Sequence, residues 1–140
     1  MIGLLAGSFD LIHPGYIRMF KHSKTTCDKL IVALQGDPTI ERSRKCKPVQ
    51  SLDDRKEILL SIKYIDDIVE YNTEKELYDL LSTLDYDIRI LGEEYMNTQF
   101  TGFDLNKPVL WIKRDHDYST TKLKESIYQE RCLRRNTLSF

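Results

Sequence analysis

The stretch IGLLAGSFDLIHPGY, residues 2–16, carries the clearest structural pattern of this chain. Residues 2–6 form a continuous apolar run of strand length, which is typical of a strand covered on both faces of a parallel sheet. Gly7 then permits a tight turn, and Pro14 is suited to the first turn of a helix, where its missing N–H costs no hydrogen bond. A buried strand that passes through a turn into a helix is the first part of a β-α-β unit.

The same alternation of strands and helices continues along the chain. Four more apolar runs have strand length, and they lie at residues 30–34, 67–69, 88–91 and 109–112. Helical periodicity predicts four helices between and after these runs. The first follows Pro14 with Tyr16, Ile17 and Phe20 inward, and the second covers residues 52–63 with Ile58, Leu59 and Ile62 inward. The third has one apolar stripe of Leu77, Leu80, Leu81 and Leu84, and the fourth begins near Ser119 with Leu123 and Ile127 inward.

These segments predict the order β-α-β-α-β-α-β-loop-β-α. Since crossovers between parallel strands are right-handed, helices should cover both faces of a sheet of about five parallel strands. The predicted class is therefore α/β, with one Rossmann-like domain over residues 1–140. In such a sheet, ligands bind beyond the carboxyl ends of the strands, near the point where the strand order reverses.

The charge balance excludes some partners. The 21 Lys and Arg against 22 Asp and Glu give a net charge of -1, so no overall positive field draws the chain to nucleic acid or to an anionic membrane. Any phosphate must then be bound by a local cluster of donors and cations. The apolar start is too short for a signal peptide, and no run approaches the roughly 20 residues of a membrane span.

The cysteines predict the redox environment. Cys27, Cys46 and Cys132 are odd in number and form no C-x-x-C pair. This pattern argues against a disulfide framework and against a zinc site, and it predicts a reducing, cytoplasmic location.

The turn after the first predicted strand has the features of an anion site. Gly7 and Gly15 let the backbone approach a ligand closely, His13 directly precedes the helix, and the helix N-terminus offers unpaired N–H groups to a phosphate. The simpler interpretation is that Gly7 only makes a tight turn and His13 is a surface residue near a helix cap. The glycine patterns of dehydrogenases and of P-loop proteins are both missing from the sequence.

A second candidate phosphate site follows the last predicted strand, in KRDHDYSTTKLK at residues 113–124. Ser119, Thr120 or Thr121 can cap the final helix, and Arg114 precedes that helix on the same edge of the sheet. Ordinary capping beside a solvated run of charges is the alternative. His22 and His116 match no metal-ligand pattern, and we expect both at the surface.

Two motifs resemble those of a known enzyme superfamily. GSFDLIHPGY at residues 7–16 resembles the G-T/S-F-D-x-x-H-x-G-H signature of the nucleotidylyltransferases, and RDHDYSTTKLKESI at residues 114–127 resembles their R-T-x-x-I-S-T-T-x-I-K closing motif. The similarity extends through SLDDRKEIL and DIRILGEEY, and it is greatest to the small glycerol-3-phosphate cytidylyltransferases. The resemblance implies transfer of CMP from CTP to a phosphorylated polyol, glycerol 3-phosphate, giving CDP-glycerol and pyrophosphate. It also implies Mg²⁺ bound with the triphosphate, no metal site made by the protein, and a homodimer.

The resemblance assigns roles to individual residues of this chain. The expected catalytic residues are His13, Lys45 and Arg114. The expected nucleotide-binding residues are Gly7, Ser8, Phe9, Asp10, Gly15, Tyr16, Gly92, Glu94, Ser119 and Thr120. The expected contacts of the acceptor substrate are Lys47 and Arg55.

Several alternatives stay open at this stage. Spacing does not decide which of Arg44, Lys45 and Lys47 enters the site. Asp10 orients the turn or contacts the ligand, with ordinary helix capping as the simpler interpretation. Arg55 binds the acceptor phosphate or pairs with Asp53 or Asp54. Tyr16 replaces the second histidine of the signature, and a phenol donates a hydrogen bond without carrying positive charge.

The identity of the substrates is also open. Carboxylates such as Glu93 and Glu94 accept from the exocyclic amine of cytosine and of adenine alike. The alternatives to the cytidylyltransferase are an adenylyltransferase acting on a sugar phosphate or phosphopantetheine, a nucleotide-binding relative that has lost turnover, and a scaffold without a ligand.

Overall fold

The elements of the computed structural model follow the predicted order. It describes the backbone of residues 1–138 and the side chains of residues 1–136. The strands and helices are β1 (Ile2–Gly7), α1 (Pro14–Thr26), β2 (Lys29–Gln35), α2 (Leu52–Leu60), β3 (Asp67–Tyr71), α3 (Glu74–Thr83), β4 (Ile88–Gly92), β5 (Val109–Ile112) and α4 (Thr120–Leu138). The five predicted strands are confirmed, and each end is shifted by two residues at most. Of the predicted domain 1–140, residues 139 and 140 lie outside the described part of the chain.

The five strands form one parallel sheet in the order β3-β2-β1-β4-β5. The chain starts at the centre, moves outward through β2 and β3, and then returns to place β4 on the other side of β1. The order therefore reverses between β1 and β4, where Leu4 is the register partner of Arg89. The predicted α/β class is confirmed, and this reversal marks the edge at which a ligand is expected.

The core consists of two apolar layers, one on each face of the sheet. Neighbouring residues of β1 point in opposite directions, so Leu5 joins Phe20 of α1 and Leu59 of α2, while Leu4 joins Leu77 of α3 on the other face. Helices cover both faces of the sheet, so both faces of each central strand are buried. This explains why the strand sequences are continuously apolar and do not alternate with polar residues.

The second helix is shorter than predicted. α2 ends at Leu60, and Ser61 caps it. The Ile62 N–H then donates to the Leu59 carbonyl, which is a tighter turn that brings Ile62 back against the core although it lies outside the helix. The apolar spacing was correct, but one turn of it belongs to the loop.

The inward orientation predicted for α4 is wrong. Leu123 is 36% exposed and Ile127 is 53% exposed, and no described side chain of α4 belongs to either core layer. The first turn of α4 is held by Thr120 Oγ1, which donates to the Asp10 carbonyl in the loop before α1. None of the helices in the described residues is long and apolar enough to cross a membrane.

Candidate functional site

A cleft of about 1640 Å³ runs along the carboxyl ends of the strands. Residues from the loops after β1, β2, β4 and β5 line it, so both candidate phosphate sites open into the same space. Thirteen of the predicted site residues line this cleft, namely His13, Lys45, Arg114, Gly7, Ser8, Phe9, Asp10, Gly15, Tyr16, Gly92, Glu94, Ser119 and Thr120. The two that do not are Lys47 and Arg55.

His13 is the N-cap of α1. Its Nδ1 accepts a hydrogen bond of 3.1 Å from the Gly15 backbone N–H, so the neutral ring carries its proton on Nε2. The Tyr16 ring stacks on the imidazole with 4.1 Å between the ring centroids, which fixes its plane. Burial, together with the nearby His116 and Arg114, lowers the pKa of His13. The side chain is therefore a held, neutral donor that faces the cleft.

The loop between β1 and α1 is held in an uncommon backbone conformation. Phe9 and Leu11 have φ values of 46° and 53°, in the left-handed region that side chains with a Cβ rarely adopt. The Phe9 ring is buried in the core and packs edge-on against Tyr16, with 5.3 Å between centroids. This packing offsets a cost of about 1–3 kcal/mol for each strained residue. Strain of this kind is concentrated at functional sites.

Asp10 connects this loop to the segment before α2. The residue is 5% exposed, and its carboxylate accepts from the backbone N–H groups of Val49 and Gln50 at 2.8 and 3.0 Å. Lys124 of α4 lies 3.5 Å from the same carboxylate. Of the two roles open for Asp10 in the sequence, this geometry favours the one that orients the turn.

Arg55 lies in a different place from the one expected of an acceptor contact. It is 2% exposed and does not line the cleft. Its guanidinium donates to the carbonyl oxygens of Ser8, Gln35, Gly36 and Gln50 at 2.6–3.1 Å. With its donors used in this way, Arg55 holds the ends of β1 and β2 and the start of α2 together, and it is a positioning residue.

The basic segment after β2 divides between the cleft and the surface. Arg44 and Lys45 line the cleft, which answers the choice that spacing left open. Lys47 is outside it: its side chain is 77% exposed and its Nζ lies 3.8 Å from an Asp37 carboxylate oxygen. The expectation that Lys47 contacts the acceptor is not matched by this position.

The second phosphate site is built at the start of α4. Ser119 Oγ accepts from the Lys122 N–H at 3.0 Å, so Ser119 caps the helix. Thr120 Oγ1 donates to the Asp10 carbonyl at 2.7 Å, which holds the first turn of α4 against the loop that precedes α1. Arg114 donates to the Tyr118 carbonyl at 2.8 Å and keeps the rest of its guanidinium toward the cleft.

Tyr16, at the position of the second signature histidine, lines the cleft and packs against His13. Its ring lies between His13 and Phe9, and its hydroxyl is 3.4 Å from Thr120 Oγ1. The residue thus supports the His13 ring and contacts the first residue of α4. Its role in this structure is mainly one of packing.

The region after β4 places a carboxylate over a glycine. A Cβ on Gly92 would lie 2.6 Å from Glu94 Oε1, so the Glu94 carboxylate lies directly over this glycine and would have to move to admit a larger residue. Glu94 and Arg114 also line a smaller adjoining cavity of about 450 Å³. This end of the cleft therefore presents a carboxylate that can accept from the exocyclic amine of a base.

Arg89 and His116 are among the cleft residues that the sequence analysis did not assign to the site. Arg89 lies within the apolar run of β4, which the sequence analysis assigned only to the core. Its side chain is buried, lines the cleft, and donates to the Thr101 carbonyl at 2.9 Å. His116 was expected at the surface, but it is half-buried over Gly15. The available signal for His116 was its position two residues after Arg114, in a loop that returns to the cleft.

The fit of the cleft to Mg²⁺ follows from its donor set. Within the described residues, no group of three or more His, Cys, Asp or Glu side chains is arranged to hold a metal ion. Asp10 lines the cleft, but its carboxylate is engaged by two backbone N–H groups. Such a cleft suits a Mg²⁺ ion that enters with a triphosphate and is held largely by phosphate oxygens and water.

Comparison with known proteins gives a family match over most of the chain. The family model described as Cytidylyltransferase-like matches residues 4–126. Glycerol-3-phosphate cytidylyltransferase of Bacillus subtilis (strain 168) is 33% identical over 125 residues, which cover 86% of this chain and 92% of that protein. The bifunctional protein HldE of Gluconacetobacter diazotrophicus is 32% identical over 105 residues, which cover 74% of this chain and 22% of that protein. The chain thus spans about a fifth of the length of the HldE relatives that it matches.

A solved structure has the same fold. The lipopolysaccharide core biosynthesis protein from Thermoplasma volcanium GSS1 superposes with a TM-score of 0.63 at 22% identity, covering 85% of this chain and 98% of that chain. Its similarity supports the architecture alone. Since the family model matches most of the sequence and the Bacillus relative is covered almost in full, the chain belongs to the cytidylyltransferase-like family of nucleotidyltransferases.

Proposed function

We propose that this nucleotidyltransferase transfers CMP from CTP to glycerol 3-phosphate or a closely similar phosphorylated polyol, and releases pyrophosphate. The observation that carries the proposal is the meeting of two helix N-termini, His13, Lys45 and Arg114 in one cleft. The relative from Bacillus, named for this activity, supports the choice of nucleotide and acceptor.

The reaction is a displacement at the α-phosphorus. An oxygen of the acceptor phosphate forms a bond to that phosphorus, and the bond to the oxygen that bridges to the β-phosphate breaks, so pyrophosphate leaves with the electron pair. The attacking phosphate is already ionised, so the step needs no general base. Negative charge on the phosphoryl oxygens grows during the step, and prearranged donors and cations supply the catalysis.

Each proposed catalytic residue has a distinct task. His13 donates from Nε2 to the triphosphate, since its Nδ1 is occupied by the Gly15 N–H. Arg114 bridges oxygens of the leaving pyrophosphate with its planar guanidinium. Lys45 lines the same cleft and neutralises charge on the reacting phosphates. Mg²⁺, bound with the triphosphate, would neutralise further charge.

The base is proposed to lie at the β4 end of the cleft. Gly92 offers backbone groups and Glu94 offers a carboxylate that accepts from an exocyclic amine. Lys113 and Arg114 flank the same end, where they are suited to ribose and phosphate oxygens.

The test is pyrophosphate release by the purified protein with magnesium, with CTP and ATP each combined with glycerol 3-phosphate and with other phosphorylated acceptors. We expect release with CTP and glycerol 3-phosphate. Release with ATP alone would make the protein an adenylyltransferase, and no release with any pair, despite nucleotide binding, would favour a relative that has lost turnover.

A variant links that activity to the site. His13→Asn keeps an N-cap that accepts from Gly15 and removes the Nε2 donor, and loss of one preorganised donor typically costs about 100-fold to 1000-fold in turnover. Lys56→Gln, which changes an exposed residue paired with Glu70 away from the cleft, is the control. Near-normal turnover in His13→Asn would contradict the site. The homodimer that the resemblance implies stays a prediction, and sedimentation at several protein concentrations measures it.

A further inference from the structure

His116 and His13 share the space above the first turn of α1. A Cβ built on Gly15 would lie 2.5 Å from His116 Cε1 and 2.9 Å from His13 Cε1. Both imidazoles therefore occupy the volume that any larger residue at position 15 would fill. His116 comes from the loop between β5 and α4, so the two rings approach from opposite ends of the sequence.

The hydrogen bonds of the two imidazoles are the same in kind. His116 Nδ1 accepts from the Tyr118 backbone N–H at 3.1 Å, just as His13 Nδ1 accepts from the Gly15 N–H at 3.1 Å. In each neutral ring the proton therefore lies on Nε2. Neither Nε2 has a hydrogen-bond partner among the described residues, and both rings line the cleft.

The other residues near this point are already engaged. The Tyr16 ring is covered by His13, and its hydroxyl is directed to Thr120. Asp10 accepts from backbone N–H groups, and Arg114 reaches the Tyr118 carbonyl with one of its terminal nitrogens. His116 is thus a second imidazole whose Nε2 has no partner among the described residues, and this atom lies over Gly15 in the first turn of α1, beside His13.

We propose that His116 Nε2 donates a hydrogen bond to the triphosphate of the bound nucleotide, beside His13. His116 is then a catalytic residue contributed by the closing motif, and it supplies the imidazole that Tyr16 does not. The inference rests on the proposed function for the identity of the ligand, but the geometry that carries it concerns only the binding of a triphosphate.

The test uses inorganic tripolyphosphate with magnesium as the probe, measured by titration calorimetry. His116→Asn keeps an oxygen that accepts from the Tyr118 N–H and removes the donor at the Nε2 position. Since a hydrogen bond to a charged group is worth about 1.5–3 kcal/mol, we expect the dissociation constant to rise roughly tenfold to a hundredfold. The midpoint of thermal unfolding should stay within about 2 °C of the wild-type value.

Two further variants complete the design. Lys56→Gln changes an exposed side chain that does not line the cleft, and it should bind tripolyphosphate within about twofold of the wild type. His116→Gln places an amide donor near the Nε2 position, and it should bind more tightly than His116→Asn. Wild-type affinity in His116→Asn, or equal weakening in Lys56→Gln, would overturn the assignment.

The outcome separates this inference from the proposed function. If His116→Asn weakens tripolyphosphate binding but the wild type releases no pyrophosphate from any nucleotide, the proposed function fails and the role of His116 stands. If the wild type is active and His116→Asn matches it in both binding and turnover, the role of His116 fails and the function stands.

Discussion

At the scale of single residues, the hydrogen bond made by one atom determines what another atom can do. The Gly15 N–H donates to Nδ1 of His13, so the proton of the neutral ring is on Nε2. Protonation of the ring would break this bond and would add charge beside Arg114. The lowered pKa of His13 has the same origin in burial and neighbouring positive groups.

This shift predicts a specific dependence of stability on pH. At a pH above about 6.5, the pKa of histidine in the unfolded state, His13 is neutral in both states and its lowered pKa does not affect stability. As the pH falls below that value, the unfolded state binds the proton first, and free energy of unfolding is lost. We expect the wild type to lose more unfolding free energy than His13→Asn between about pH 7.5 and about pH 5.5. Urea unfolding at both values measures the difference. An equal or larger loss in the variant would contradict the lowered pKa.

Arg55 predicts a large effect on stability. Its guanidinium donates to four carbonyl oxygens, and the single ammonium of a lysine cannot reach all of them. Because each buried acceptor left unpaired costs about 1–3 kcal/mol, Arg55→Lys should lower the free energy of unfolding by at least about 3 kcal/mol. Arg134→Lys, at an exposed pair with Glu130, should change it by less than about 0.5 kcal/mol.

An effect on acceptor binding without an effect on stability would support the role predicted from the sequence, in which Arg55 contacts the acceptor. If Arg55 bound the acceptor phosphate, Arg55→Lys would raise the KM for the acceptor and leave stability unchanged. Chemical denaturation and acceptor kinetics on the same preparation separate the two results.

At the scale of elements, the site depends on how two loops meet two helices. The strained loop before α1 is held by the burial of Phe9, by Asp10 on the segment before α2, and by Thr120 at the start of α4. The contacts of Asp10 and Thr120 join segments that are distant in sequence. The helix N-termini are consequently positioned by the same few bonds that shape the loop.

Thr120→Val tests the contact between α4 and the loop. Valine keeps the shape of threonine and removes the donor to the Asp10 carbonyl, so we expect a loss of about 1 kcal/mol in stability. Turnover should fall about tenfold to a hundredfold, since small displacements of catalytic groups are costly. Thr120→Ser keeps the hydroxyl and should recover most of the activity. Wild-type turnover in Thr120→Val would mean that the contact does not position the site.

The elements also differ in how well the sequence predicts them. The strands and α3 were predictable because burial on both faces, or on one stripe, leaves a direct pattern of apolar residues. α4 has an apolar spacing at Leu123 and Ile127, but neither side chain joins a core layer. Periodicity reports an apolar face without saying what it contacts.

The same limit applies to the site. His13, Arg114 and the caps of α4 follow from motifs that lie next to helix starts, so their position in the cleft was predictable. The roles of Arg55 and His116 depend on carbonyl oxygens and a glycine that are distant in sequence. A local pattern contains no information about such partners, and only the three-dimensional structure brings them together.

At the scale of the whole molecule, charge is separated between the cleft and the remaining surface. The chain has a net charge of -1. The cleft, however, is lined by eight cationic side chains, Arg18, Arg42, Arg44, Lys45, Arg89, Lys113, Arg114 and Lys124, against five carboxylates, Asp10, Glu74, Glu94, Asp115 and Glu125. A nearly neutral protein thus presents a local positive field where a triphosphate would bind, and the absence of global charge limits binding of anions elsewhere.

This separation predicts that nucleotide binding depends on salt while folding does not. Screening shortens the range of electrostatic attraction to about 8 Å at 0.15 M salt, so the KM for CTP should rise several-fold between about 0.03 M and about 0.3 M salt. Lys45→Gln should both raise the KM at low salt and flatten its salt dependence, because one cation of the cleft is gone. Lys56→Gln changes the net charge equally but lies outside the cleft, and it should keep the wild-type slope. Equal slopes in the two variants would show that total charge, and not the cleft, governs the encounter with the nucleotide.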